Sequence, residues 1–260
     1  MDALDARLLH DSDLPWQVRV EDEVTSTSDV VKEAAQAGAQ PGLVLFAESQ
    51  TAGRGRRDNR WITPPGQDLM LSLLLVPQAP TALWSRVTTL AALAICRAIE
   101  DELPLQPRIK WPNDIYIQDR KVAGLLAEVV STSSGLQLVL GIGLNVNTCD
   151  FPAELAGSAT SLRAALFGSS PRPLDRHPIA RALLRHLHHQ LGHITDEFCT
   201  AIAEVRERAW LLGRQIRATV EGREIYGRAM DLTAEGHLLL ALPDGSSLAL
   251  SSAESVRQVV

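Results

Sequence analysis

The sequence predicts an α+β fold: a mixed sheet with packed helices, followed by a small all-β module. Two observations carry this expectation. Over residues 1–211, apolar runs that read as buried strands, "GLVLF", "LMLSLLLV" and "LQLVLGIGLNV", alternate with stretches of helical period, the longest being "TALWSRVTTLAALAICRAIEDEL". Over residues 212–260 the pattern shortens to strand-like pieces separated by glycine and aspartate turns, as in a barrel. The chain is therefore expected to divide between residues 211 and 212.

The elements follow in order. "TSTSDVVKEAAQAG" reads as a helix, with the hydroxyls of Ser26, Thr27 and Ser28 at its start and Gly38 at its end. "PGLVLFAES" is a buried strand, and a basic glycine loop comes after it. "QDLMLSLLLV" is a second strand, and the long helix follows. Then come "RIKW", the turn "PND", the strand "IYI", a tight "QDR" turn and the strand "KVAGLLAEVV". "STSSG" turns the chain into "LQLVLGIGLNVN", so much of the sheet should be antiparallel. Residues 150–168 are small and polar, which suits a mobile loop with one short helix at "TSLRAALF". Helices run on through about Trp210. "IRATVEG", "EIYGRAMD", "HLLLAL", "SSLALS" and "SVRQVV" are the strands of the last module.

Composition narrows the function classes. Apolar residues make up 45% of the chain and charged residues 22%, as in a soluble globular protein with a proper core. A net charge of −6 argues against a general binder of nucleic acid or membrane surfaces. Three widely spaced cysteines suggest neither a disulfide framework nor a zinc site, so a reducing compartment, the cytoplasm, fits. The N-terminus has no apolar signal core, and no apolar run is long enough to span a bilayer.

Against that acidic background, "AGRGRRDNRW" gathers four arginines and two glycines into ten residues. Glycines let backbone N–H groups approach an anion, and arginines supply permanently charged planar forks. Asp58 stands where a dinucleotide fingerprint needs its third glycine, and no Gly-Lys-Ser/Thr ending marks a P-loop. An anion site and a solvated basic loop both satisfy this stretch alone. In "KWPND", Pro112, Asn113 and Asp114 make a good turn on composition alone. The oxygens of Asn113 and Asp114 would also suit Mg²⁺ accompanying a nucleotide's phosphates, beside Lys110 and Trp111. Lys121 opens an apolar strand, where an unpaired ammonium would be costly, so it calls for an anion. Gly141 and Gly143 leave room for a flat ring or merely for close backbone packing, and Asn145 adds amide hydrogen bonds. His186, His189 and His193 fall on one face of a predicted helix, better read as a solvated face than as a metal site.

Taken in order, "TSTS", "AESQTAGRGRR…W", "IKWPNDIYIQDRKVAG", "GIGLNVN" and "ATSL", followed by a small β module, resemble the biotin protein ligase family. The resemblance covers nearly the whole chain from about Val20. It implies a class II synthetase-like catalytic domain, a C-terminal SH3-like domain, and biotin, ATP and Mg²⁺ as the small molecules handled. It also implies a reaction. Biotin's carboxylate would attack the α-phosphate of ATP, and a carrier-protein lysine would then take the biotinyl group. Ser26, Thr27 and Gln50 would contact the ureido ring. Gly53, Arg54 and Arg56 would close on biotin and the adenylate. Lys121 would sit between the biotin carboxylate and the α-phosphate. Gly124, Gly141 and Gly143 would line the ligand. Arg57, Trp61, Lys110, Asn113 and Asn145 would face the nucleotide, and Asn113 and Asp114 would serve the metal.

The partner implied is a biotin carboxyl carrier domain of acetyl-CoA carboxylase, with no DNA or membrane partner and a monomer or homodimer as the assembly. About twenty residues precede the match, too few for the helix-turn-helix of repressor relatives. Asp58 replaces a glycine common in relatives, which should tune affinity or retention of the intermediate. Either segment 53–58 or segment 150–157 is expected to order over the adenylate. A lipoate or octanoate ligase of the same fold and a non-catalytic biotin or adenylate sensor are the alternatives.

Overall fold

The computed structural model describes residues 3–56, 59–168 and 172–259. Its centre is a seven-stranded mixed sheet built from β1 (Gln17–Val24), β2 (Leu43–Gln50), β3 (Leu69–Leu75), β4 (Arg108–Lys110), β5 (Asp114–Ile117), β6 (Arg120–Thr132) and β7 (Gly135–Leu144). Their spatial order is β1-β2-β3-β7-β6-β5-β4. The β1–β2 pair is parallel and the other pairs are antiparallel. Residues of β2 and β3 are buried almost without a break, which is why they read as continuous apolar runs rather than as alternating ones.

Helices cover both faces. On one face α2 (Thr27–Gln36) packs Val31 and Ala35 against Leu43, Leu45, Leu74, Val130 and Val139. The larger core lies on the other side, under α3 (Arg86–Glu102), α5 (Arg176–Leu191) and α6 (Phe198–Arg208). Within α3 the run Leu90–Cys96 is buried all round, as befits a helix sandwiched between a sheet and α5. A short α4 (Leu162–Phe167) starts at Ser161, whose hydroxyl accepts from the Ala164 N–H, in the segment expected to carry one.

Two elements escaped the sequence reading: α1 (Ala6–Leu9) and β1. β1 is an edge strand, with Arg19, Glu21, Asp22 and Glu23 in a burial pattern of mostly exposed positions. Charges on an edge strand discourage pairing with other chains, and here they leave only Val18, Val20 and Val24 to mark the apolar alternation that announces a strand. The first residues are tied down by polar bonds as well. The Leu4 N–H donates to Glu48, which forms a buried ion pair with Arg176 at 2.8 Å.

The last module is a five-stranded antiparallel sheet of β8 (Gln215–Val220), β9 (Arg223–Leu232), β10 (Leu238–Ala241), β11 (Ser247–Leu250) and β12 (Ser255–Gln258), in the order β11-β10-β9-β8-β12. It docks on the first unit near the "KWPND" turn. The Trp111 indole N–H donates to the Gly236 carbonyl at 3.1 Å.

Candidate active site

The ends of β2, β6 and β7 and the start of α2 meet around one cavity of about 50 Å³, and a second of about 370 Å³ adjoins it. Gly55, Arg56, Trp61, Asn113 and Lys121 line both. At the far end of the smaller cavity the residues are hydroxyls. The Gln50 side-chain oxygen accepts from the Thr27 N–H at 2.8 Å and lies 3.2 Å from its hydroxyl. Gln50 therefore caps α2, where the sequence offers the hydroxyls of Ser26, Thr27 and Ser28; the Ser26 hydroxyl makes no cap bond. From Thr27 a chain of hydroxyls runs through Ser72 at 2.8 Å to Ser28 at 3.0 Å. Ser72 was missed, although a lone hydroxyl inside "LMLSLLL" is the signal that could have found it. Ser28 also explains Gly141: a Cβ there would meet the Ser28 Oγ at 2.5 Å.

The glycine-arginine loop is a tight reversal rather than a helix start. The Gly55 N–H donates to the Asn59 carbonyl at 2.7 Å, Arg54 bridges Arg60, and the Trp61 N–H donates to the Gly53 carbonyl at 3.0 Å. At Gly53 a Cβ would collide with the Trp61 carbonyl. The two arginines turn different ways. Arg54 forks onto Asp29 at 2.6 Å and Glu128 at 2.9 Å. Arg56 donates to the Asn113 side-chain oxygen at 3.0 Å and to the Ala253 carbonyl at 2.8 Å, so it joins the loop, the turn and the last module. Arg57 and Asp58 lie outside the described residues.

Lys121 reaches the site through a β-bulge. Asp114 pairs with Gly124 and Ile115 with Ala123, but Tyr116 pairs with Lys121, so one residue of β6 is extra. The extra residue reverses the strand's alternation and brings Lys121 onto the face of Gly124. A Cβ on Gly124 would lie 3.1 Å from the Lys121 Nζ. Lys121 forms an ion pair with Asp114 at 2.6 Å. Its backbone is clamped on both sides by segment 158–160: its N–H donates to the Ser158 carbonyl and its carbonyl accepts from the Thr160 N–H. The same segment is held by Asn145, whose amide donates to the Thr160 carbonyl at 3.0 Å.

Trp61 lies on the glycine floor. Its indole fills the place a Gly143 side chain would take and touches the Gly124 position, with the Lys121 Nζ 5.6 Å from a ring centroid. The indole Nε1 is buried without a hydrogen-bond partner among the described residues. A buried donor left without a partner is one that a ligand's acceptor could satisfy. Lys110 donates to the Tyr116 hydroxyl at 2.9 Å and stands over that ring. Burial pulls the Lys110 ammonium below its ordinary pKa, with Asp114 opposing, and burial pushes the Tyr116 phenol up to about 12. An anion entering the larger cavity would favour the charged lysine.

Among the described residues no group of three or more His, Cys, Asp and Glu side chains could hold a metal by itself. His186 and His193 are paired with Asp101 at 2.7 Å and Glu197 at 3.1 Å instead, and His193 lies just past the end of α5. No helix among these residues is long and apolar enough to cross a membrane.

Known proteins match this arrangement. A family described as "Biotin/lipoate A/B protein ligase family" matches residues 20–145, and one described as "Biotin protein ligase C terminal domain" matches residues 211–256. The Bifunctional ligase/repressor BirA of Bacillus spizizenii is 34% identical, over 86% of this chain and 69% of that protein. The Biotin--[acetyl-CoA-carboxylase] ligase of Mycobacterium tuberculosis is 32% identical, over 89% of this chain and 85% of that one. The structure of the biotin protein ligase from Aquifex aeolicus in complex with biotin and ATP superposes with a TM-score of 0.83 at 28% identity, covering 94% of this chain and 99% of that one. With two family matches in chain order, relatives aligned over most of their length and the mixed sheet in common, the chain belongs to the biotin protein ligases of the biotin/lipoate A/B protein ligase family.

Proposed function

We propose that this chain is an ATP-dependent biotin protein ligase that forms biotinyl-5′-AMP and passes the biotinyl group to a lysine of a biotin carboxyl carrier domain. One observation supports this reading above the others: Lys121 lines both cavities and stands between the hydroxyl end and the larger, more basic one. Biotin's ureido ring would lie among Ser26, Thr27 and Gln50, and its carboxylate would point to Lys121. ATP would occupy the larger cavity, facing Arg56, Trp61, Lys110, Asn113 and Asn145.

In the first step a carboxylate oxygen bonds to the α-phosphorus and pyrophosphate leaves. Two anions must approach, and the Lys121 ammonium with the Arg56 guanidinium offsets their repulsion. In the second step the carrier's lysine amine attacks the acyl carbon and AMP leaves. The mixed anhydride must be kept from water between the steps, which a closed loop over the site provides. Asp114 and Asn113 offer one carboxylate and one carboxamide oxygen, a donor set that suits Mg²⁺ arriving with the phosphates of its substrate once Lys121 and Arg56, which hold these side chains here, turn to the phosphates. The ion would neutralise phosphate charge there. A carrier domain of acetyl-CoA carboxylase and a cytoplasmic address complete the proposal.

The test is to mix the protein with biotin, Mg·ATP and a carrier domain and weigh the carrier. A single biotinyl mass gain that needs ATP supports the reading; tight biotin binding with no gain would leave a sensor in its place. A second outcome follows from the double anchorage of Arg56. Arg56→Gly removes both anchors and frees the loop's backbone, so adenylate should escape and biotinylate bystander proteins. Streptavidin blots of a mixture of carrier and serum albumin read this directly, and labelling confined to the carrier counts against the loop as the seal.

A further inference from the structure

The Arg54 guanidinium borders the smaller cavity, but its terminal nitrogens are engaged by side chains. It is spent on two acids from separate elements, Asp29 in the first turn of α2 and Glu128 in β6. Lys32 completes the cluster, 2.7 Å from Glu128 and 3.9 Å from Asp29. α2 begins with the hydroxyls of the biotin end, and β6 carries Lys121 and Gly124. Arg54 therefore clamps the loop to both walls of the site at once.

We infer that Asp29 and Glu128, acting through the Arg54 fork, form a charged latch that keeps the glycine-arginine loop closed over the acyl-adenylate and sets how long that intermediate stays bound. This rests on the adenylate-forming activity proposed above. Asp29 and Glu128 are positioning residues, since they act on the loop through Arg54. Three features suit a latch better than a fixed strut. The side chains are partly exposed, from 22% for Lys32 to 38% for Asp29, so water and salt compete for the pairs. The guanidinium is planar and presents separate nitrogens to separate carboxylates, which a single ammonium could not do. Lys32 offsets the charge of the two acids, so opening the loop does not leave two bare carboxylates face to face.

The test uses the whole protein. Adenylate is formed with biotin and Mg·ATP, free ligand is removed on a rapid desalting column, and release of biotinyl-5′-AMP is timed. Asp29→Asn and Glu128→Gln should each form adenylate at the unaltered rate and release it about five-fold faster, as expected for loss of a half-exposed pair. Asp29→Glu should release it slowly again, and Arg54→Lys should not. Raising salt from about 0.05 to about 0.5 M should speed release from the unaltered protein and leave the double variant, Asp29→Asn with Glu128→Gln, far less affected. A structural role alone would not produce that difference in salt response. If the double variant holds adenylate as long as the unaltered protein, or if both respond equally to salt, the latch is overturned. An unaltered protein that makes no adenylate at all would overturn the proposed function, and the latch with it.

Discussion

Lys121→Ala should lower biotin-dependent pyrophosphate release by about a thousand-fold, the scale set by removing a pre-aimed charge from a water-poor site. The side chain sits at the junction of the two cavities, and its position is held by three separate devices. A bulge in β6 sets its facing, segment 158–160 clamps its backbone, and Asp114 holds its ammonium at 2.6 Å. Removing the ammonium leaves the hydroxyl end of the site intact, because Gln50, Thr27 and Ser72 bond among themselves. Biotin affinity should therefore fall much less than the rate. Lys121→Arg should not restore the rate, since a wider planar group would not fit between Gly124 and the Trp61 ring. Isothermal titration with biotin, run beside the pyrophosphate assay, separates the two effects. An alanine variant that keeps most of the release rate would take Lys121 out of the central role.

The contrast between what the sequence announces and what it hides follows from range. Local chemistry is legible: glycines and arginines crowd one loop, "PND" turns, and Ser161 caps a helix where "ATSL" predicts one. The buried strands are legible because apolar residues dominate in a sheet covered on both faces. Non-local bonds are not. Nothing near Gln50 in the sequence says that its amide caps a helix 23 residues earlier. Arg54 reads as an anion ligand because its partners lie 25 and 74 positions away. The facing of Lys121 depends on an extra residue in one strand, which alternation alone cannot reveal. β1 is muted for the opposite reason, since the charges that protect a sheet edge thin its apolar alternation to three valines. In each case the missing information is the partner, not the propensity.

Asp68 illustrates how such a partner governs the site, and its loss should have the largest effect on the fold. It lies just before β3, fully buried, and the sequence gives it no role. Its Oδ1 accepts from the backbone N–H groups of Val146, Asn147 and Thr148 at 2.8, 3.0 and 3.2 Å. Its Oδ2 accepts from the Thr148 hydroxyl at 2.6 Å and from that of Thr63. Three consecutive N–H groups thus converge on one carboxylate, and they belong to the turn that directly follows Asn145. Asp68→Ala would leave those donors buried and unpaired, at about 3–5 kcal/mol in all. That should lower the melting temperature by about 10 °C. Asp68→Asn should cost less, because its side-chain oxygen still accepts from the backbone N–H groups while its amide can donate to the Thr148 and Thr63 hydroxyls. The functional consequence should be selective. Asn145 holds segment 158–160, which in turn clamps Lys121, so loosening the turn should raise the KM for ATP in the asparagine variant. The biotin end is built on β2, β3 and α2 and should be spared. A melting curve and a KM for ATP both unchanged in Asp68→Asn, together with an alanine variant that melts within a degree or two of the unaltered protein, would show that the turn is held by something else.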